Sequence, residues 1–299
     1  MQKSDSQQLL GLIFVVCSAM ADSTLPIFGK LAYANGLDPA VLLMLRNGFS
    51  FLILFGYLFI FNGRQALVIS KASLGQGLVL IASEMAYLYS LKEVAANVAT
   101  VIFYTYPILV AVLAATFFKE RLSKAIVAGL ALALSGIVLL SGVFGHSLAI
   151  SPLGFLLDLL ASTLFATFCL IGHKNVHRAG PLQLAATFSL VGMVVMGVLF
   201  PTHLLEIVSL NRAQLLIGLG TAICNNLFGI IFFLMALKKI GASKAALGCT
   251  LEPVLTLLLA FLVLGELLST AEAVGVSLII GSIILTFPRT QGQAGKVSP

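Results

Sequence analysis

Long apolar stretches recur along the chain, and short polar connections separate them. About 20 apolar residues in a helix cross the hydrocarbon core of a bilayer, and each stretch is close to that length. The pattern therefore predicts an all-α integral membrane protein with ten transmembrane helices. The predicted segments, numbered 1 to 10, are residues 9–30, 39–61, 72–91, 95–118, 124–144, 153–173, 181–200, 213–237, 243–264 and 269–287.

The second half of the chain repeats features of the first half. KEVAANVATVIFYTYPILVAVLAATFFKERLS aligns without a gap on KKIGASKAALGCTLEPVLTLLLAFLVLGELLS, which places Pro107 on Pro253. Two halves of five segments are therefore predicted, residues 1–147 and 148–299. Because five is an odd number, the second half must enter the membrane inverted. Inverted repeats with broken helices are typical of alternating-access transporters.

The composition agrees with a chain that lies mostly in lipid. Hydrophobic residues make up 60% of it and charged residues 9%, whereas soluble domains contain about 25% charged residues. The net charge of +6 does not indicate a nucleic-acid partner, because no basic run reaches five residues and the loops of membrane proteins are basic for topological reasons. The lipid bilayer is the predicted environment.

The distribution of basic residues predicts an orientation. With a cytoplasmic N-terminus, thirteen of the 17 lysines and arginines fall on the inner side. Only Lys30, Lys92 and Arg212 fall outside, and Arg46 lies within segment 2. The positive-inside rule then places both termini in the cytoplasm. The expected location is the plasma membrane, which in a bacterium is the inner membrane.

These features resemble the EamA-type members of the drug/metabolite transporter superfamily over nearly the whole chain. The resemblance rests on the paired stretches YPILVAVLAATFFKERLS and EPVLTLLLAFLVLGELLS, where a proline precedes a glutamate by 13 residues, and on the arginine of LMLRNGFSF. It implies that segments 1–4 and 6–9 surround a central cavity, with segments 5 and 10 outside. It also implies transport of small organic solutes, most often export. The tryptophan-glycine pair of many members is missing from segment 1.

Polar residues at membrane depth are candidates for function, because their desolvation must be offset by partners or water. They occur on six segments that the resemblance places around the cavity, so they predict one polar chamber that binds a small-molecule substrate. These residues are Asp22, Arg46, Glu84, Tyr104, Tyr106, Asn225, Asn226 and Glu252. Asp158 is expected to lie in the outer turns of segment 6 and to reach water.

Each candidate also has a structural interpretation. The carboxylates of Asp22, Glu84 and Glu252 either bind substrate or protons, or they neutralise Arg46. The two asparagines either line the chamber or hydrogen-bond neighbouring helices. The two tyrosines face either the chamber or lipid.

Pro107 and Pro253 interrupt segments 4 and 9. Proline has no N–H, so the carbonyls of Phe103 and Cys249 lose their helical partners. At membrane depth a freed carbonyl is tolerated where protein or water in a cavity meets it. Both prolines are therefore predicted to be hinges beside the chamber, with a simple packing kink as the alternative.

Small residues at four-residue spacing in segments 5 and 10 indicate close helix contacts. They predict a packing seam, either within the protein or between the two copies of a homodimer. The residues are Ala125, Gly129 and Ala133 in segment 5, and Ala273, Ser277 and Gly281 in segment 10.

The chemistry of the sequence favours a carrier over an enzyme. It contains neither HExxH nor GxSxG, and no histidine lies deep in a segment. The cysteines lack metal-site spacing and no ATP-binding GxxxxGK[ST] loop is present, so no cofactor or metal is predicted and a solute or ion gradient is the expected energy source. Three carboxylates against one arginine favour amino acids or amine-bearing solutes. The alternatives are nucleosides, sugars or nucleotide-sugar-like solutes, or a receptor or scaffold without transport.

Overall fold

The computed structural model describes residues 2–62, 67, 69–90, 93–94, 96–120, 122–142, 151–264 and 269–287, and within these ranges the chain forms helices and no strand. The helices are α1 Gln2–Asp22, α2 Leu25–Ala34, α3 Pro39–Asn62, α4 Lys71–Ser90, α5 Ala96–Phe103, α6 Tyr106–Phe118, α7 Lys124–Leu140, α8 Pro152–Asn175, α9 Pro181–Leu199, α10 Pro201–Ile207, α11 Arg212–Thr221, α12 Ile230–Ile240, α13 Ala242–Gly248, α14 Leu251–Leu264 and α15 Thr270–Thr286. A π-helical stretch, Ala222–Gly229, joins α11 to α12.

Seven helical stretches of the described chain are long and apolar enough to cross a membrane. They are Ser6–Ala34, Pro39–Phe61, Val98–Phe118, Pro152–Asn175, Pro181–Leu199, Arg212–Ile240 and Ala242–Leu259. The other three predicted segments correspond to α4, α7 and α15. The last two are apolar but have 17 residues each, or about 26 Å against a hydrocarbon core of about 30 Å. α4 is less apolar because it contains Gln76 and Glu84.

Segments 1, 4 and 9 are each split into two helices. The breaks fall at Ser23–Thr24, Tyr104–Thr105 and Cys249–Thr250, and a proline follows each break within three residues. Proline is favoured in the first turn of a helix, where its missing N–H leaves no gap. The two breaks at Pro107 and Pro253 agree with the predicted interruptions, whereas the break in segment 1 was not predicted.

A threonine stabilises each of the three breaks. The Oγ1 atoms of Thr24, Thr105 and Thr250 each donate to the carbonyl three residues earlier, at 2.6, 2.7 and 2.7 Å. Each of these carbonyls also accepts the backbone N–H of the same threonine, so the hydroxyl adds a second hydrogen bond at the break. The carbonyl of Cys249 is not free as the sequence suggested, because it accepts the N–H of Glu252 at 3.0 Å.

α7 and α15 pack along each other at very short range. A methyl group on Gly136 would lie 2.7 Å from the Gly275 carbonyl oxygen, so the two backbones touch where both residues are glycine. Of the predicted seam, Gly129 lies in this contact against Thr286 and Ser282, whereas Ala133 is buried in a cluster with Ala111 and Leu247. The predicted positions on α15 are wrong for this contact, because Ala273 and Ser277 are exposed. The homodimer through segments 5 and 10 stays a prediction.

Polar side chains join α4 to α8 along their length. At seven-residue spacing, α4 presents Gln76, Ser83 and Ser90 to α8. Gln76 donates to the Phe168 carbonyl at 3.3 Å and Ser83 to the Ala161 carbonyl at 2.7 Å. Such interhelical hydrogen bonds hold helices together where no water competes. Aromatic rings then fill the interior beside α8, among them Phe103, Tyr106, Phe165, Phe168 and Phe233.

Candidate functional site

The breaks of α5–α6 and α13–α14 face each other in the protein interior. The Tyr104 hydroxyl lies close to the Glu252 carboxylate, and the Tyr106 hydroxyl lies close to the Cys249 thiol. Both tyrosines are buried, so they do not face lipid. Glu252 is only half-buried and therefore keeps part of its surface open.

Asp22 is the last residue of α1 and lies against the π-helical stretch. Asn225 donates to the Ala21 carbonyl at 3.1 Å and lies 3.5 Å from Asp22 Oδ1. A side chain on Gly229 would collide with the Asp22 carboxylate, so glycine leaves the space that this carboxylate fills. π-helical turns inside α-helices occur often at functional sites. This irregular backbone thus holds an acidic group at the break between α1 and α2.

Arg46 pairs with one of the three carboxylates. Its side chain is buried, and its Nη2 lies 2.5 Å from Glu84 Oε1. Asp22 interacts electrostatically with both Glu252 and Arg46 but, over the described residues, forms no salt bridge. The carboxylates were predicted either to bind substrate or protons or to neutralise Arg46, and the second role fits Glu84. Asp22 and Glu252 are left as neighbouring acids without a paired cation.

A second polar contact joins α3 to the π-helical stretch. Asn226 donates to Asn47 Oδ1 at 3.2 Å, and Asn47 donates to the Leu43 carbonyl at 2.9 Å. Both asparagines, with Glu84 and Ser189, line a cavity that holds about one water molecule. Asn225 and Asn226 thus bond neighbouring helices, and Asn226 also faces this cavity. Asn47 was missed by the sequence analysis, although it is polar at membrane depth beside Arg46.

A larger cavity of about 250 Å³ lies where α3 begins and where α4 and α9 end. Leu43, which is one turn before Arg46, and Met85, which follows Glu84, both line it. Neither Arg46 nor Glu84 is among the described residues that line this cavity. The polar and aromatic side chains of its wall are Tyr33, Asp38, Tyr89, Phe200 and His203.

The structure thus brings the eight predicted residues into two adjoining groups. One surrounds Asp22 and Glu252 at the helix breaks, and the other surrounds the Arg46–Glu84 pair. Asp158 was predicted to reach water, and this prediction is wrong. The side chain of Asp158 is fully buried against Ser90.

An all-helical chain with seven stretches able to span a membrane and polar groups at interior helix breaks defines a multi-pass membrane protein. The EamA-like transporter family matches the chain over residues 9–142 and again over 152–287. The chain therefore belongs to the EamA-like transporter family, and it is a membrane transporter. The resemblance seen in the sequence is confirmed.

Relatives with the same broad description align over much of the chain. A Clostridium kluyveri protein named "Uncharacterized transporter" is 25% identical over 291 residues, which cover 92% of each chain. The Bacillus subtilis "Uncharacterized transporter YxxF" is 23% identical over 225 residues, or 74% of this chain and 71% of that one. A crystal structure at 20% identity covers 94% of this chain and 96% of its own, with a TM-score of 0.78. This last likeness shows a shared fold.

Pro107→Ala and Pro253→Ala are each expected to slow solute flux while the protein stays folded. Alanine restores the N–H that proline lacks and so favours a continuous helix across each break. The measurement is turnover in proteoliposomes, with Pro152→Ala at the start of α8 as the matched control. Wild-type turnover in both variants would contradict the hinge role and would show that the two prolines only shape packing.

Proposed function

We propose that the protein is a secondary-active transporter that exports small organic solutes by alternating access. Amino acids and other amine-bearing metabolites are its substrates. Its ten transmembrane helices form two inverted halves, residues 1–147 and 148–299, with both termini in the cytoplasm of a plasma membrane. Segments 1, 4 and 9 are each interrupted, and segment 8 contains a π-helical stretch between α11 and α12.

Equivalent elements of the two halves support the repeat. α7 and α15 are both 17 residues long, and each begins after a serine that accepts a backbone N–H at 3.2 Å. These serines, Ser123 and Ser269, align in the repeat. The family also matches the chain once in each half. An odd number of helices in each half makes the repeat inverted.

The helix breaks support alternating access. Three interrupted segments and one π-helical stretch meet around Asp22 and Glu252, where the backbone departs from regular α-helix. In transporters of inverted-repeat architecture, substrate binds at such discontinuous helices near the middle of the membrane. A broken helix also bends more easily than a continuous one, since fewer hydrogen bonds must change.

The charge balance of the site supports the proposal that the substrates bear an amine. Glu84 neutralises Arg46 at 2.5 Å, so Asp22 and Glu252 are left as two neighbouring acids without a paired cation among the described residues. A substrate that brings an ammonium group offsets the cost of holding two acids close together. A phosphorylated sugar would add negative charge and is rejected. The tyrosine beside Glu252 provides a hydroxyl for further polar contact.

Solute counterflow in proteoliposomes tests this function directly. Vesicles with purified protein should accumulate radiolabelled amine-bearing solutes, for which lysine, phenylalanine and putrescine are suitable probes. Glucose 6-phosphate should not accumulate, and empty vesicles provide the control. Cells that produce the protein should also release more of the accepted solute into the medium. Counterflow of the sugar phosphate alone would contradict the substrate class, and absence of flux for every solute would contradict transport of this class.

A further inference from the structure

One carboxylate is completely enclosed and takes no part in the site around Glu252. Asp158 on α8 has 0% of its surface exposed. Its Oδ1 contacts the Ser90 hydroxyl at the end of α4, whereas its Oδ2 has no hydrogen-bond partner. Enclosing an ionised carboxylate is costly unless both oxygens are satisfied or a cation is near. This enclosure therefore requires an explanation.

The groups that face Asp158 supply no positive charge within the described part of the chain. α4 contributes Tyr87, and α5 has no ionisable side chain. Between these helices, Glu93 lies against Gly154, which is one turn before Asp158 on α8. α6 contributes Tyr106, whose ring contacts Phe165 about two turns further on.

The other two helices that touch α8 carry their lysines at its opposite end. These residues are Lys238 and Lys239 on α12 and Lys244 on α13. Leu237 lies beside Gly172, and that glycine is about 21 Å along α8 from Asp158 at 1.5 Å per residue. In the described residues, no salt bridge reaches Asp158.

The Ser90 hydroxyl has one proton for two contacts, and the protonation state of Asp158 depends on which contact receives it. Ser90 Oγ lies 2.7 Å from the Tyr87 carbonyl oxygen and also contacts Asp158 Oδ1. A serine hydroxyl donates one proton, and a carbonyl oxygen only accepts. When Ser90 donates to Tyr87, its contact with Asp158 is a hydrogen bond only if Asp158 is the donor. Asp158 then carries a proton.

The same face of α8 contacts a helix break. Ser162, one turn after Asp158, has its Oγ 3.0 Å from Thr105 Oγ1, and Thr105 donates to the Ile102 carbonyl at 2.7 Å. Thr105 lies in the break between α5 and α6. A movement of α8 away from α4 would therefore act on both Asp158 and this break.

We propose that Asp158 and Ser90 form a proton-binding site that is occupied in this conformation. The carboxylate takes up one proton to become an acid, whose hydroxyl donates to Ser90. Release of the proton leaves an anion that needs solvation, so release accompanies separation of α8 from α4. Proton binding stands on the contacts of Asp158 alone, whereas its coupling to solute movement rests on the proposed function.

Infrared difference spectroscopy of the full chain in lipid nanodiscs tests the proposal without any solute. Between acidic and alkaline buffer, the wild type should lose the absorption band of a buried protonated carboxyl group. Asp158→Asn should lack the part of this band that Asp158 contributes, while any contribution of Asp22 and Glu252 stays. The matched control is Asp38→Asn, because Asp38 is exposed and caps the start of α3, a role that asparagine also fills. This control should keep the band.

Two results would overturn the proposal: a wild-type carboxyl band that does not titrate, or a band whose intensity in Asp158→Asn equals that of the wild type. Should that variant fail to fold, Ser90→Ala decides the matter. Loss of the hydrogen-bond acceptor should shift the band of the protonated acid, and an unshifted band would contradict the Ser90 contact. A titrating Asp158 band in a protein without solute flux would overturn the proposed function and leave the proton site intact.

Discussion

Glu252→Gln is expected to weaken solute binding by about 10- to 150-fold, because a hydrogen bond to a charged group contributes about 1.5–3 kcal/mol. Glutamine keeps the size of the side chain, but it carries no charge and does not titrate. Counterflow in proteoliposomes over a range of solute concentrations and pH values measures the effect. If Glu252 binds protons rather than solute, the variant should instead lose the pH dependence of flux.

Glu206→Gln is the matched control for this experiment. Glu206 lies on α10 with its side chain 52% exposed, and it pairs only with the nearby His203 among the described residues. The control should transport like the wild type. A Glu252→Gln protein with unchanged affinity and an unchanged pH profile would show that the charge of Glu252 is not used. The repeat supports a functional role, because the aligned position in segment 4 is the neutral Tyr106.

Arg46→Met is expected to lower the free energy of unfolding by on the order of 3 kcal/mol, near the lower end of the range for breaking a buried ion pair. The lower end applies because Glu84 keeps 24% of its side chain accessible. The substitution leaves three carboxylates in the interior without a cation. Unfolding in mixed detergent micelles, followed by circular dichroism, measures the loss.

The double variant Arg46→Met/Glu84→Gln should recover much of this loss, because it removes the unpaired charge along with its partner. Arg212→Met, at the exposed start of α11, serves as the control and should leave stability unchanged. A double variant no more stable than Arg46→Met would show that Glu84 is not the principal partner of Arg46. Asp22, which also interacts electrostatically with Arg46, would then be the next candidate for its counter-ion.

Proline chemistry explains how far the helix breaks could be predicted. Pro107 and Pro253 lie inside long apolar runs, so their missing N–H groups identify both interruptions from sequence. The break before Pro26 follows the same chemistry, and Thr24 precedes it as Thr105 precedes Pro107. The π-helical stretch has no such local signal. It depends on the contacts of Asn225 and Asn226 with α1 and α3, which come from distant parts of the chain.

The membrane class, the family and the polar positions inside apolar segments could all be predicted from the amino-acid sequence. These properties follow from local apolar runs, from their length against the bilayer, and from paired motifs. Tertiary structure decided which carboxylate neutralises Arg46, that Tyr104 and Tyr106 face the second half of the chain, and that Asp158 is enclosed. Each depends on the rotation of a helix about its axis and on the neighbour that it meets. In segments apolar on most sides, the hydrophobic pattern leaves that rotation open, and packing against other helices sets it.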